Sequence, residues 1–189
     1  MPVPELTTER LLLRGFTDAD RAPFAALNSD PRVMEHFPKP LTPDESDGFV
    51  DRIGQRWTED GAGLWAVERR ADACFLGFVG LVPEPSGMPH SPCVEIGWRF
   101  AAEAWSRGYA TEAARAAVRF GFQELGLGEI LSWTVPANLA SRRVMERLGM
   151  THDPADDFDH PRHLDDDRIR RNVLYRLPRE HWLASRDAG

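Results

Sequence analysis

Residues 104–120, AWSRGYATEAARAAVRF, join a polar loop centred on Gly108 to a helix with an inner face of mostly alanine. The junction presents unpaired backbone N–H groups at the positive end of a helix, which is where anions bind. On a helix starting near Tyr109, Ala110, Ala113, Ala114, Ala117, Gly121 and Leu125 share one stripe of period 3.6. So small a stripe brings the helix axis close to whatever lies beneath. Gly108 takes a positive φ at no steric cost. The N–H groups around residues 107–111 then converge on one point, and a pyrophosphate fits there. The pattern is neither the GxxxxGK[ST] phosphate loop nor a GxGxxG fingerprint. A glycine turn before a packed helix accounts for the same residues with no ligand at all.

The strand that precedes this loop, CVEIGWRF at 93–100, carries the second chemical signal. Alternation puts Val94, Ile96 and Trp98 on one face and Cys93, Glu95, Gly97 and Arg99 on the other. A carboxylate and a guanidinium flanking a glycine describe a polar channel in which a ligand runs close to the backbone. They describe equally well a solvated face.

The elements that must position these residues follow from punctuation and periodicity. ERLLLRGF (9–16) reads as a first strand and 17–28 as a helix with Thr17 as N-cap. Pro31 suggests a short helical turn over 29–37. Thr42, Pro43 and Glu45 form a capping box with proline at N1, so 41–57 is helical. LWAVERR (64–70) and FLGFVGLVP (75–83) make a hairpin, and 84–92 is a proline-rich loop. After the alanine helix, EILSWTV (129–135) is a strand and 138–149 a helix capped by Asn138 and ended by Gly149. The acidic segment 153–167 is a loop between short strands at 150–152 and 171–177. This order implies an α/β (α+β) fold: a mixed, mostly antiparallel sheet of about seven strands with helices on both faces.

Composition narrows the function classes. A chain of 189 residues, 42% hydrophobic and 28% charged, reads as one domain spanning 1–189. A net charge of −7 argues against nucleic acid, which demands a basic footprint. No apolar run is long enough to span a bilayer and no signal segment opens the chain, so a cytoplasmic protein without a membrane partner is expected. Cys74 and Cys93 each lie in an apolar strand and read as buried, reduced thiols; no spacing suggests a metal site.

Taken together, TERLLLRGF, VEIGWRF, AWSRGYATEAARA, NLASRRVMERLGM and DFDHP…NVLYRL resemble the GNAT superfamily of acetyl-CoA-dependent N-acetyltransferases. Within it, the resemblance is to the branch typified by RimJ and RimL, which acetylate N-terminal amines of ribosomal proteins. It implies that strands 93–100 and 129–135 splay apart around the pantetheine arm, whose amides pair with backbone near Trp98, Arg99 and Phe100. It implies that Trp105, Ser106, Arg107, Gly108, Tyr109, Ala110 and Thr111 hold the pyrophosphate. Asn138 then lies across the arm and Ser141 near the cofactor sulfur. Two positions depart from the wider superfamily: Trp105 replaces a Gln or Arg, and Met145 stands where many members carry a proton-donating tyrosine.

The implied reaction is direct attack of a primary amine on the acetyl thioester, without a metal, with the oxyanion held by backbone N–H near Trp98. Glu95, directly or through water, is the candidate base, and Ser141 or water the acid. An α-amine has a reference pKa of about 8 against about 10.4 for lysine, so a weak base suffices for a protein N-terminus. The alternatives are a small-molecule amine such as an antibiotic or polyamine, a route through acetylated Cys93, and a non-catalytic acyl-CoA-binding protein. His160, Pro161 and His163 in the acidic loop suit closure over an acceptor, and equally suit a surface loop with no such role. The protein is expected to be a monomer or homodimer.

Overall fold

Nine strands among the described residues form one sheet in the order β1-β2-β3-β4-β5-β6-β9-β7, with β8 added against β9. The computed structural model describes residues 3–187. The strands are β1 (Leu6–Thr7), β2 (Leu11–Arg14), β3 (Leu64–Arg69), β4 (Cys74–Glu84), β5 (Cys93–Phe100), β6 (Glu129–Thr134), β7 (Thr151–His152), β8 (Phe158–Asp159) and β9 (Arg171–Pro178). Helices α1 (Arg21–Ser29) and α2 (Pro43–Asp60) separate β2 from β3. Helix α3 (Tyr109–Gln123) joins β5 to β6, and α4 (Leu139–Arg147) follows β6. Short α5 (Asp167–Arg170) and terminal α6 (Arg179–Asp187) flank β9. The seven expected strands are present; β1 and β8, two residues each, are too short to leave a periodic signal.

Local chemistry explains the main boundaries. Glu45 N–H donates to Thr42 Oγ1 at 3.2 Å and Thr42 N–H to Glu45 Oε2 at 2.8 Å, which closes the capping box of α2. Gly61, at φ 65°, ends that helix. The turn expected at 29–37 is one isolated turn, Met34 N–H to Asp30 O at 3.0 Å. Pro38 and Pro40 stop it from growing, so 30–42 becomes a loop over the sheet.

The two sheet faces differ in kind. On one, Phe24 of α1 and Phe49 of α2 meet Phe78 of β4, with ring centroids 5.5–6.0 Å apart. On the other, Ala113, Ala114 and Ala117 of α3 are fully buried. A Cβ at Gly121 would come within 2.9 Å of Leu81 Cδ1, which shows how closely α3 lies against β4.

Every paired neighbour is antiparallel except β5 and β6, which run parallel and share only the Glu95–Leu131 register. Just past it, Ser132 Oγ donates to Ile96 O at 2.9 Å, and the strands then part. The other edge of β6 stays paired with β9 from Glu129 to Thr134, so only the β5 side opens. One expectation fails here. Cys74 is exposed and Cys93 only half-buried. A register shift at Val67/Glu68 lets the β3–β4 ladder end at Arg69–Cys74 beside the hairpin tip, where no layer covers the thiol.

Candidate active site

The turn into α3 is built from two left-handed residues, Ser106 at φ 58° and Gly108 at φ 81°, on either side of Arg107. No side chain caps the first turn of α3 from Gly108, so its N–H groups are open to a ligand. Arg10 holds the turn from outside: Nη1 donates to Arg107 O at 3.0 Å, and the guanidinium lies 4.7 Å from the Tyr109 ring centroid. Glu112 fixes Arg10 in turn, accepting from Nε at 2.7 Å, and also accepts from Thr8 Oγ1 at 2.6 Å. Sequence reading missed this clamp, because nothing local joins residue 10 to residue 112. Behind it, a hollow of about 620 Å³ collects Arg10, Arg115, Arg119 and Arg147.

A cleft of about 850 Å³ opens where β5 and β6 part. Glu95, Trp98, Arg99, Phe100, Trp105, Ser106, Gly108, Tyr109, Ala110, Thr111, Asn138 and Ser141 all line it. Of the expected site residues only Arg107 lies outside the lining. His36, Phe37, His160 and His163 line it from the two covering loops. The pleat separates the three strand residues expected to pair with an arm. Ile96 O turns toward β6, so the peptide groups of Trp98, two residues on, face the gap with no strand opposite. Phe100 O is taken by Trp105 Nε1 at 2.9 Å. Arg99 O faces β4 instead, where a Cβ at Gly77 would collide with it.

Glu95 and Ser141 reach the gap from opposite sheet faces. Asn138 Oδ1 accepts from Ser141 N–H at 3.1 Å and its Nδ2 donates to Thr134 Oγ1 at 3.0 Å, so it ties α4 to the end of β6. The Ser141 hydroxyl lines the cleft and makes no hydrogen bond among the described residues. Met145 is buried. Tyr175, whose hydroxyl bonds Arg142 and Glu146, lies outside the cleft lining.

Electrostatics single out three groups. Burial, then the like charge of Glu84, pushes the Glu95 carboxyl up to about 8, with Arg162 pulling the other way. Arg162 reaches Glu84 from the 160–163 loop at 3.0 Å. Burial likewise lowers Arg99 to about 10 and, helped by His163 and Arg162, lowers His160 to about 4. Burial and the carboxylates of Glu95 and Glu84 push the Cys93 thiol up, which works against a thiolate there. A raised carboxyl at the closed end of a strand gap suits proton removal beside an anion-anchored substrate.

Comparison with known proteins identifies the family. The profile of the Acetyltransferase (GNAT) domain matches residues 10–151. The FsC-acetyl coenzyme A-N(2)-transacetylase of Aspergillus fumigatus is 34% identical over 190 residues, covering 95% of this chain and 78% of that protein. The uncharacterized protein YkkB of Bacillus subtilis is 35% identical over 147 residues, covering 77% of this chain and 84% of that one. A crystal structure of an acetyltransferase from Agrobacterium tumefaciens superposes with a TM-score of 0.76 at 27% identity, covering 94% of this chain and 95% of that one. With that domain matched over residues 10–151 and a transacetylase relative matched over nearly its whole length, this chain is an acetyl-CoA-dependent N-acetyltransferase and belongs to the GNAT family.

Proposed function

We propose that this enzyme moves the acetyl group of acetyl-CoA directly to a primary α-amine, with Glu95 as the base and Ser141 as the proton donor. The observation that carries this reading is the place of Glu95 in the cleft, at the closed end of the gap between β5 and β6, where burial and Glu84 push its carboxyl up to about 8. An α-amine, with a reference pKa of about 8, is matched to such a base. In the proposed sequence the amine nitrogen attacks the thioester carbonyl carbon and Glu95 takes a proton from it. The tetrahedral oxyanion is held by backbone N–H at Trp98, the strand residue whose peptide groups face the gap. The C–S bond then breaks and its electron pair leaves on sulfur; the Ser141 hydroxyl, with no hydrogen-bond partner among the described residues, relays a solvent proton to that sulfur, and Glu95 returns its proton to solvent.

The first acceptor reading is a protein N-terminus, as the RimJ/RimL-like motifs imply. The second is a small-molecule amine. It rests on the relative matched over nearly the whole chain, which is named for N(2)-transacetylation from acetyl coenzyme A and not for a ribosomal protein. The test is a panel of N-terminal peptides and small amines read by release of CoA thiol. Turnover with α-amines and none with ε-amines is expected. Equal use of both would remove the α-amine assignment.

A further inference from the structure

Resting on that transferase reading, we infer that Arg99 is the anchor for a carboxylate on the acceptor, so the preferred acceptor is an amino-acid-like amine. Arg99 lines the cleft on the face it shares with Glu95. Its guanidinium lies 3.9 Å from the Phe37 ring centroid and 5.4 Å from that of Phe78. It makes one hydrogen bond, Nη1 to Asn28 Oδ1 at 2.5 Å, and its Nε is buried with no partner. Asn28 is itself locked, since its Nδ2 donates to Ser46 Oγ at 2.9 Å and both residues are fully buried. No carboxylate among the described residues pairs with Arg99.

That isolation is not how this fold treats a structural arginine. Arg14, on the same sheet, is answered by Asp20 at 2.7 Å and Glu68 at 2.8 Å. A half-buried cation whose Nε is fully covered and which has no anion is costly, so its retention in a cleft points to a ligand that supplies the charge. The geometry also gives direction. Gly97 lies between Glu95 and Arg99, and a Cβ there would meet nothing within 4 Å, so no side chain walls the two apart. Arg99 lies about 13 Å along the strand from Glu95, a span that the two side chains can shorten from either end. An acceptor with its amine toward Glu95 and its carboxylate toward Arg99 lies along this floor.

Two measurements test this. The first is turnover with matched pairs, L-amino acids against their amides, and N-terminal peptides with acidic or neutral second residues. The free acids should be preferred by roughly 10- to 100-fold in kcat/KM, the usual weight of a charge-assisted pair. Arg99→Gln should bring that ratio to about one. The second needs no turnover: thermal unfolding with added glycine, 4-aminobutanoate or L-glutamate, against their amides and chloride. Wild type should gain stability with the carboxylates alone. Arg99→Met should start more stable and not respond, and Arg99→Lys should respond more weakly. No acid preference, or a preference surviving in Arg99→Gln, overturns the anchor. So does a less stable Arg99→Met protein with a wild type indifferent to carboxylates, which makes Arg99 a strut for the 30–42 loop. If no amine releases thiol, the transferase reading fails, and the unfolding series still decides Arg99.

Discussion

Glu95 is the residue at which burial and proposed chemistry meet, and its raised pKa of about 8 gives two separate expectations. If it is the base, kcat/KM rises with pH to a plateau above about 8. Glu95→Gln should lower turnover by ~10²–10⁴-fold with acetyl-CoA saturating, and single-turnover rates against pH check this. The same shift predicts stability with opposite sign. Because the folded value lies above the ordinary 4.5, the native state binds more protons than the unfolded one between those values. Wild-type stability should therefore fall as pH rises from about 4.5 through about 8, and denaturant melts of Glu95→Gln should lack that fall. Ser141→Ala, which removes a hydroxyl with no hydrogen-bond partner among the described residues, should lower kcat more than it raises KM if it protonates the sulfur. A pure KM effect would make Ser141 a binding residue.

At the scale of elements, the turn into α3 and the cap of α2 separate binding from stability. Gly108 is left-handed at φ 81°, a conformation costing a branched residue about 1–3 kcal/mol. Gly108→Val should weaken acetyl-CoA binding at least about tenfold by calorimetry, by unwinding the turn whose N–H groups await an anion. Thr42→Ala, which opens the capping box far from that turn, should cost about 1 kcal/mol in urea unfolding and leave acetyl-CoA affinity alone. Both elements were legible in the sequence because their signals are short-range: glycine before an alanine stripe, and threonine three residues before glutamate. Helix α6 was not. RLPREHWLASRD offers no cap, and what fixes it is Trp182 against Phe122 of α3, with ring centroids 5.1 Å apart.

Across the whole molecule, the cleft exists because a parallel pair is held at one register and then abandoned. A ligand bridging the α3 turn and both strands should stabilise the fold as a unit. Acetyl-CoA at 100 times its Kd should add about 2.7 kcal/mol to unfolding free energy. A chelator should leave that shift unchanged if the backbone N–H groups at the α3 turn hold the anion by themselves. The two loops over the cleft come from residues 30–42 and 153–170, far apart in the chain. That is why the acceptor side was the least readable part of the sequence.

The sequence by itself determined the strand and helix order, the glycine turn that opens α3, and which face of β5 carries Glu95 and Arg99. Each of these is set by covalent spacing, backbone freedom or the two-residue pleat, none of which needs a distant partner. Only the tertiary structure decided the rest. It brought Arg10 to the Arg107 carbonyl, exposed Cys74 through a register shift, and gave the Trp98 peptide groups no strand to pair with. It also raised Glu95 and left Arg99 without an anion. Ionisation and burial depend on how much low-dielectric protein closes around a group, and that is fixed by loops folding over from elsewhere in the chain.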